Sequence, residues 1–77
     1  MIEIQRKIEK LYKVEFPKLV AVLSNKYGFT DLQAVEDIVA DTFETANLKW
    51  SELSAPDNPA AWLYHVANHK AIDFLRR

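Results

Sequence analysis

The sequence predicts an all-α domain, a small bundle of three to four helices. Apolar residues recur at helical steps in three separate stretches, and strand-like alternation is absent. One glycine and three prolines punctuate the 77 residues, which calls for long helices and few turns. About half the residues are apolar and nine are aromatic, enough for one core at this length and inconsistent with disorder.

The first helix is expected from Ile2 to about Lys26. Its apolar residues are Ile4, Ile8, Leu11, Tyr12, Phe16, Leu19, Val20, Leu23 and Tyr27. Pro17 lies inside this stretch. It cannot donate to the carbonyl of Lys13, so a kink or a break is expected near Glu15–Phe16. Gly28 then supplies a left-handed stop. Thr30-Asp31-Leu32-Gln33 has the form of a capping box, with Thr30 as cap and Gln33 reaching back. The second helix turns Leu32, Val35, Ile38, Val39, Thr42, Phe43, Ala46 and Trp50 inward, and Glu36, Asp37, Ala40, Asp41 and Glu44 outward. Helical character is expected to fade near Leu48–Trp50, ahead of a polar connector from Ser51 to Asp57.

The third helix has the strongest start. Asn58 can cap free N–H groups, and Pro59 suits the first helical position. Leu63, Val66, Ala67, Ala71 and Phe74 fall on one face, the expected core face. The other side carries Trp62, His65, Asn68, His69, Asp73 and Arg76. An aromatic beside flat and basic groups suits stacking on bases and contact with phosphates. The bland readings are equally concrete. Trp62 can be half-buried core, Tyr64 structural, Asp73 an ion-pair partner of His69 or Arg77, and Arg76 and Arg77 mere complements to the helix C-terminus.

Charge is segregated along the chain. Residues 1–26 carry +3, from Arg6, Lys7, Lys10, Lys13, Lys18 and Lys26 against Glu3, Glu9 and Glu15. Residues 27–57 carry −6, with Lys49 against seven acids. Residues 58–77 carry +2, from Lys70, Arg76 and Arg77 against Asp73. A uniformly basic DNA binder has no such pattern, but an adaptor with an acidic face for a basic protein and a basic face for a polyanion does. There is no cysteine, so disulfides and thiolate metal sites are excluded. Glu3, Arg6 and Lys7 interrupt the start, unlike a secretory signal, and no apolar run approaches the roughly 20 residues of a membrane span. No serine–histidine–acid order or glycine-rich phosphate loop is present, so no catalytic residue and no cofactor is assigned. His65, His69 and Asp73 stand at i, i+4 and i+8, a spacing that can hold a metal ion, although no fourth ligand is evident.

The run Glu36-Asp37-Ile38-Val39-Ala40-Asp41-Thr42-Phe43-Glu44-Thr45-Ala46 is followed by Ala61-Trp62-Leu63-Tyr64-His65-Val66-Ala67 and by Ala71-Ile72-Asp73-Phe74-Leu75-Arg76-Arg77. Together these resemble conserved region 2 of RNA polymerase sigma factors, with the extracytoplasmic-function (ECF) group the nearest. Leu11-Tyr12 with Phe16-Pro17-Lys18-Leu19 is similar to that group's first helix. The resemblance implies a cytoplasmic, bacterial, nucleoid-associated transcription initiation factor domain that docks on the β′ coiled coil of RNA polymerase. Glu36, Asp37, Ala40, Asp41 and Phe43 occupy the docking positions. It also implies recognition and melting of the promoter −10 element, with one base of the non-template strand taken out of the stack. By position this falls to the Ser54–Asn58 connector, to Asn58 itself, and to Trp62, His65, Asn68, His69, Lys70, Arg76 and Arg77.

An anti-sigma factor is a further partner of such proteins, and neither a membrane nor a small-molecule substrate is implied. Three departures stand out. Ala40 replaces the family's usual glutamine, Asn47 a frequent tryptophan, and Asn68-His69 the common Arg-Asn pair. The helix-turn-helix domain that reads the −35 element is absent from these residues, so they are expected to be a region 2 fragment of a longer protein. Two other readings stand beside this one. One is a helical interaction module that binds polymerase or a regulator without reading DNA, and the other is a metal-binding bundle using His65 and His69.

Overall fold

The computed structural model describes the backbone of residues 2–77 and the side chains of residues 6–77. Three helices follow one another: α1 (Ile2–Tyr27), α2 (Leu32–Leu53) and α3 (Pro59–Leu75). Among the described residues there is no strand. The bundle measures 36 × 22 × 19 Å, and its long axis is set by the 26 residues of α1.

Helix α2 holds the centre. Val35, Ile38, Val39, Thr42, Phe43, Ala46 and Trp50 are all buried along one side of it. Leu19 and Leu23 reach this stripe from α1, and Leu63, Ala67 and Ala71 from α3. Ala67 and Ala71 are fully buried, and their small side chains let α3 lie close against the core. Thr42 is buried without cost because its hydroxyl donates to the Ile38 carbonyl at 2.8 Å.

The expectation of three to four helices settles at three. Helix α1 runs through Pro17 unbroken. Pro17 and Lys13 both lie on the exposed side, so the carbonyl that loses its partner faces water. Phe16 and Leu19, on the inner side, keep both halves of the helix on the core.

The α2 cap is Asp31, not Thr30. Its carboxylate accepts from the N–H groups of Gln33 at 3.0 Å and Ala34 at 3.4 Å. A charged acceptor at a helix start gains from the dipole as well as from the bonds. Gln33 does not reach back; its amide donates forward to Asp37 at 2.8 Å. Helix α2 also continues to Leu53, past the expected fade. Burial of Trp50 holds the last turn down, and the Ser54 N–H closes on the Trp50 carbonyl at 2.9 Å.

Three residues expected inward are largely open: Tyr12, Leu32 and Phe74. Leu32 is the first residue of α2 and has no turn before it to pack on. Tyr12 lies on the α1–α2 seam with its ring 4.7 Å from Phe16 and 5.1 Å from Phe43. Phe74 pairs with Phe29, at 5.9 Å, near the end of α3. The Ile4 side chain, expected on the inner stripe, lies outside the described residues.

Gly28 has φ 65° and ends α1 as its lack of a Cβ allows. Ser54 has φ 73° and ψ 163°, a region that is nearly glycine-only. The variant Ser54→Gly is therefore expected to stabilise the domain by about 1 kcal/mol, the strain released less the entropy that glycine adds to the unfolded chain. Thermal unfolding checks this, and the midpoint should rise by several degrees.

Candidate functional site

The outward side of α2 forms one acidic strip. Asp37, Ala40, Asp41 and Glu44 are exposed along it. Glu36 sits half-buried at its edge. Phe43, singled out with these residues from sequence, is buried at 5 % exposure and belongs to the Tyr12–Phe16 aromatic cluster. Its ring backs the helix from the core side and borders the shallow groove between α1 and α2.

The residues singled out on and beside α3 divide into five environments. His65 and His69 are exposed, with ring centroids 4.6 Å apart, and Arg76 and Arg77 are exposed beyond them. Asn58 spends its side-chain oxygen on the helix start, accepting from the Ala61 N–H at 3.1 Å. Asn68 is turned toward α1. Its carbonyl oxygen accepts from the Lys26 ammonium at 3.1 Å and from the Tyr27 hydroxyl. Lys26 also donates to the Tyr64 hydroxyl at 3.2 Å and lies over the Tyr27 and Tyr64 rings at 5.5 and 5.6 Å. The hydrogen bond to Tyr64 holds the Lys26 ammonium above its ordinary pKa, against the opposing effect of desolvation. This clamp joins residues some forty positions apart, and no local pattern announces it.

Lys70 turns the other way and pairs with Asp41 of α2 at 2.8 Å. Among the described residues this is the one ion pair within 4.0 Å. The acidic strip and the basic end of α3 therefore meet rather than lie on opposite sides. Between them runs a groove of about 580 Å³ with Ala34, Ile38 and Phe74 as its apolar part and Asp37, Asp73 and Arg77 on its walls. The Asp73 carboxylate pairs with neither His69 nor Arg77, contrary to the structural role expected for it.

Trp62 is half-buried and meets Trp50 edge-on at 5.2 Å. Both indoles line a cleft of about 420 Å³ under the connector, shared with Thr45, Leu53, Ser54, Ala55 and Pro56. Trp50 is 2 % exposed, and its Nε1 has no hydrogen-bond partner. Sequence reasoning treated Trp50 as plain core. Its polar atom becomes conspicuous only once its neighbours are known.

Among the described residues, no three His, Cys, Asp or Glu side chains converge to hold a metal ion, so the metal-binding reading of His65, His69 and Asp73 lacks its third ligand. No helix of the described residues is long and apolar enough to cross a membrane.

A family model described as Sigma-70 region 2 matches residues 11–77. No curated protein and no solved structure matches the chain.

The two polar links across the bundle differ in worth. Asn68→Ala leaves the part-buried Tyr27 hydroxyl without its acceptor and is expected to cost about 1–2 kcal/mol. Lys70→Ala breaks a pair whose carboxylate is 59 % exposed and is expected to cost under about 1 kcal/mol. Urea unfolding of the two variants measures both.

Proposed function

The chain belongs to the sigma-70 region 2 family, whose domains serve transcription initiation with RNA polymerase and promoter DNA, and from that premise we propose that α2 docks on polymerase while α3 and the connector receive the −10 element. The observation that carries this reading is the adjacency of two unlike surfaces. An exposed acidic strip on α2 lies beside an α3 that offers two open imidazoles, two arginines and an indole cleft.

The docking partner is the β′ coiled coil, met by Asp37, Ala40, Asp41 and Glu44, with Glu36 at the margin and Phe43 as support. Carboxylates in this register complement a basic helical partner. The non-template strand passes over His65, His69, Arg76 and Arg77, with Trp62 and the Ser54–Asn58 connector taking one extruded base. The subgroup is the ECF one, and an anti-sigma factor would act by covering the α2 strip. The place of action is the bacterial cytoplasm, at the nucleoid. The work is binding and strand separation, with no covalent step.

Magnitudes explain why docking must come first. Stacking one base on an aromatic contributes about 1–3 kcal/mol, and extracting that base costs a similar few kcal/mol. The domain alone has a net charge of −1 and neutralises few phosphates. Polymerase supplies the effective concentration and orientation that the domain lacks.

A second reading, an interaction module that grips polymerase without reading DNA, is favoured by one observation. Asn58, Asn68 and Lys70 are all engaged within the domain. The two readings separate on the paired variant His65→Ala with His69→Ala. Loss of −10 strand binding by loaded polymerase, with docking kept, supports promoter reading; no change supports the module.

Two further outcomes are expected. Asp37→Lys, at an exposed site whose side chain is hydrogen-bonded by Gln33, should weaken capture of the β′ coiled coil by at least about tenfold in a pull-down titration while leaving the melting curve in place. The isolated domain should bind a −10 single strand with a Kd weaker than about 1 µM at physiological salt by fluorescence anisotropy.

A further inference from the structure

We propose that Trp50 is a specificity-determining residue of the connector cleft, its indole N–H donating to a ring-nitrogen acceptor on the base that enters there. This rests on the reading above, in which one base leaves the stack, and adds to it a residue and a direction for the hydrogen bond.

Three independent features meet at one place. The first is the cleft itself, about 420 Å³, with Trp62, Leu53, Ala55, Pro56 and Val66 as its apolar part and Thr45, Lys49 and Ser54 as its polar part. The second is the donor. Trp50 is 98 % buried and its Nε1 meets no acceptor, although a buried indole N–H ordinarily finds one. The third is the rim. Ser54, whose N–H is tied to the carbonyl of Trp50, is held in a backbone conformation that side chains other than glycine avoid.

An unpaired donor behind mostly apolar walls selects its occupant. Water does not reach the Nε1 atom, which is sealed from solvent in the free domain. A flat heteroaromatic satisfies the walls by stacking and the donor by one edge. Indole is a donor only, so it rewards a ring nitrogen with a free lone pair and penalises a C–H or N–H at the same point. The Nε1 atom is shielded in the free domain. Contact of the base with Nε1 therefore requires the side chains that cover it to shift.

The test is a ratio, which a purely structural role would not move. Polymerase core loaded with the chain is titrated with −10 single strands carrying adenine, 1-deaza-, 3-deaza- or 7-deazaadenine at the extruded position. The wild-type chain should lose about tenfold on one of the deaza bases, and Trp50→Phe should bind that base and adenine alike. If the wild-type chain discriminates and Trp50→Phe discriminates equally, the role of Trp50 is overturned and the base-capture reading stands. If the wild-type chain treats every base alike, the Trp50 hydrogen bond is overturned while capture by stacking stands, and only an abasic position that binds as well as adenine overturns base capture as well.

A second measurement covers a variant that does not fold. The chain has two tryptophans, so its ¹⁵N-indole spectrum has two N–H signals. Saturating adenine-containing strand should shift the Trp50 signal, and the deaza strand that binds poorly should not. An unmoved Trp50 signal at saturation overturns the proposal.

Discussion

The structure depends on the burial of one side of α2. Seven of its residues, from Val35 to Trp50, form the middle of the core, and both other helices are placed by packing on that stripe. None of the three helices would persist alone in water, so the fold stands on this shared seam. The same constraint shapes the surface. A helix that spends one side on the core must present the other, and here the other side is carboxylate-rich. The acidic strip is therefore rigid because it is backed by Val39, Phe43 and Ala46, and it needs no loop to hold it.

Features governed by neighbours in sequence were legible before any coordinates. The helical periods of α2, the Asn58 cap with Pro59 behind it, and the left-handed Gly28 all follow from residues within one turn of each other. So did the family, because its motif residues lie on continuous helices. The Asp31 cap was missed by one residue, since Thr30 and Asp31 are both good caps and only geometry chooses between them. Of the kink or break expected at Pro17, the break does not occur, because the period cannot tell which way its orphaned carbonyl faces.

Side chains with distant partners were not legible. Asn68 and Lys70 both looked like free polar groups on α3. One is tied to the end of α1 and the other to Asp41 of α2. These attachments flank the buried Leu63–Ala67–Ala71 line, so α3 is stapled on both sides near Asn68–Lys70. Of the residues expected to face DNA, His65 and His69 with the terminal arginines stay open, fewer than a helical wheel suggests. The pairing of Lys70 with Asp41 also means that the two proposed binding surfaces share a border, and their charges are felt by one another across a few ångströms.

The edge-on contact of Trp50 and Trp62 has a spectroscopic consequence. These are the only two indoles in the chain, and both sit at the same end of the bundle. Emission excited selectively in tryptophan thus comes from a single locus and is silent about the far pole, where Phe29 and Phe74 meet. Quenching of tryptophan emission and coupling between the two indoles will report the connector, so this chain carries its own optical probe of that segment without a label.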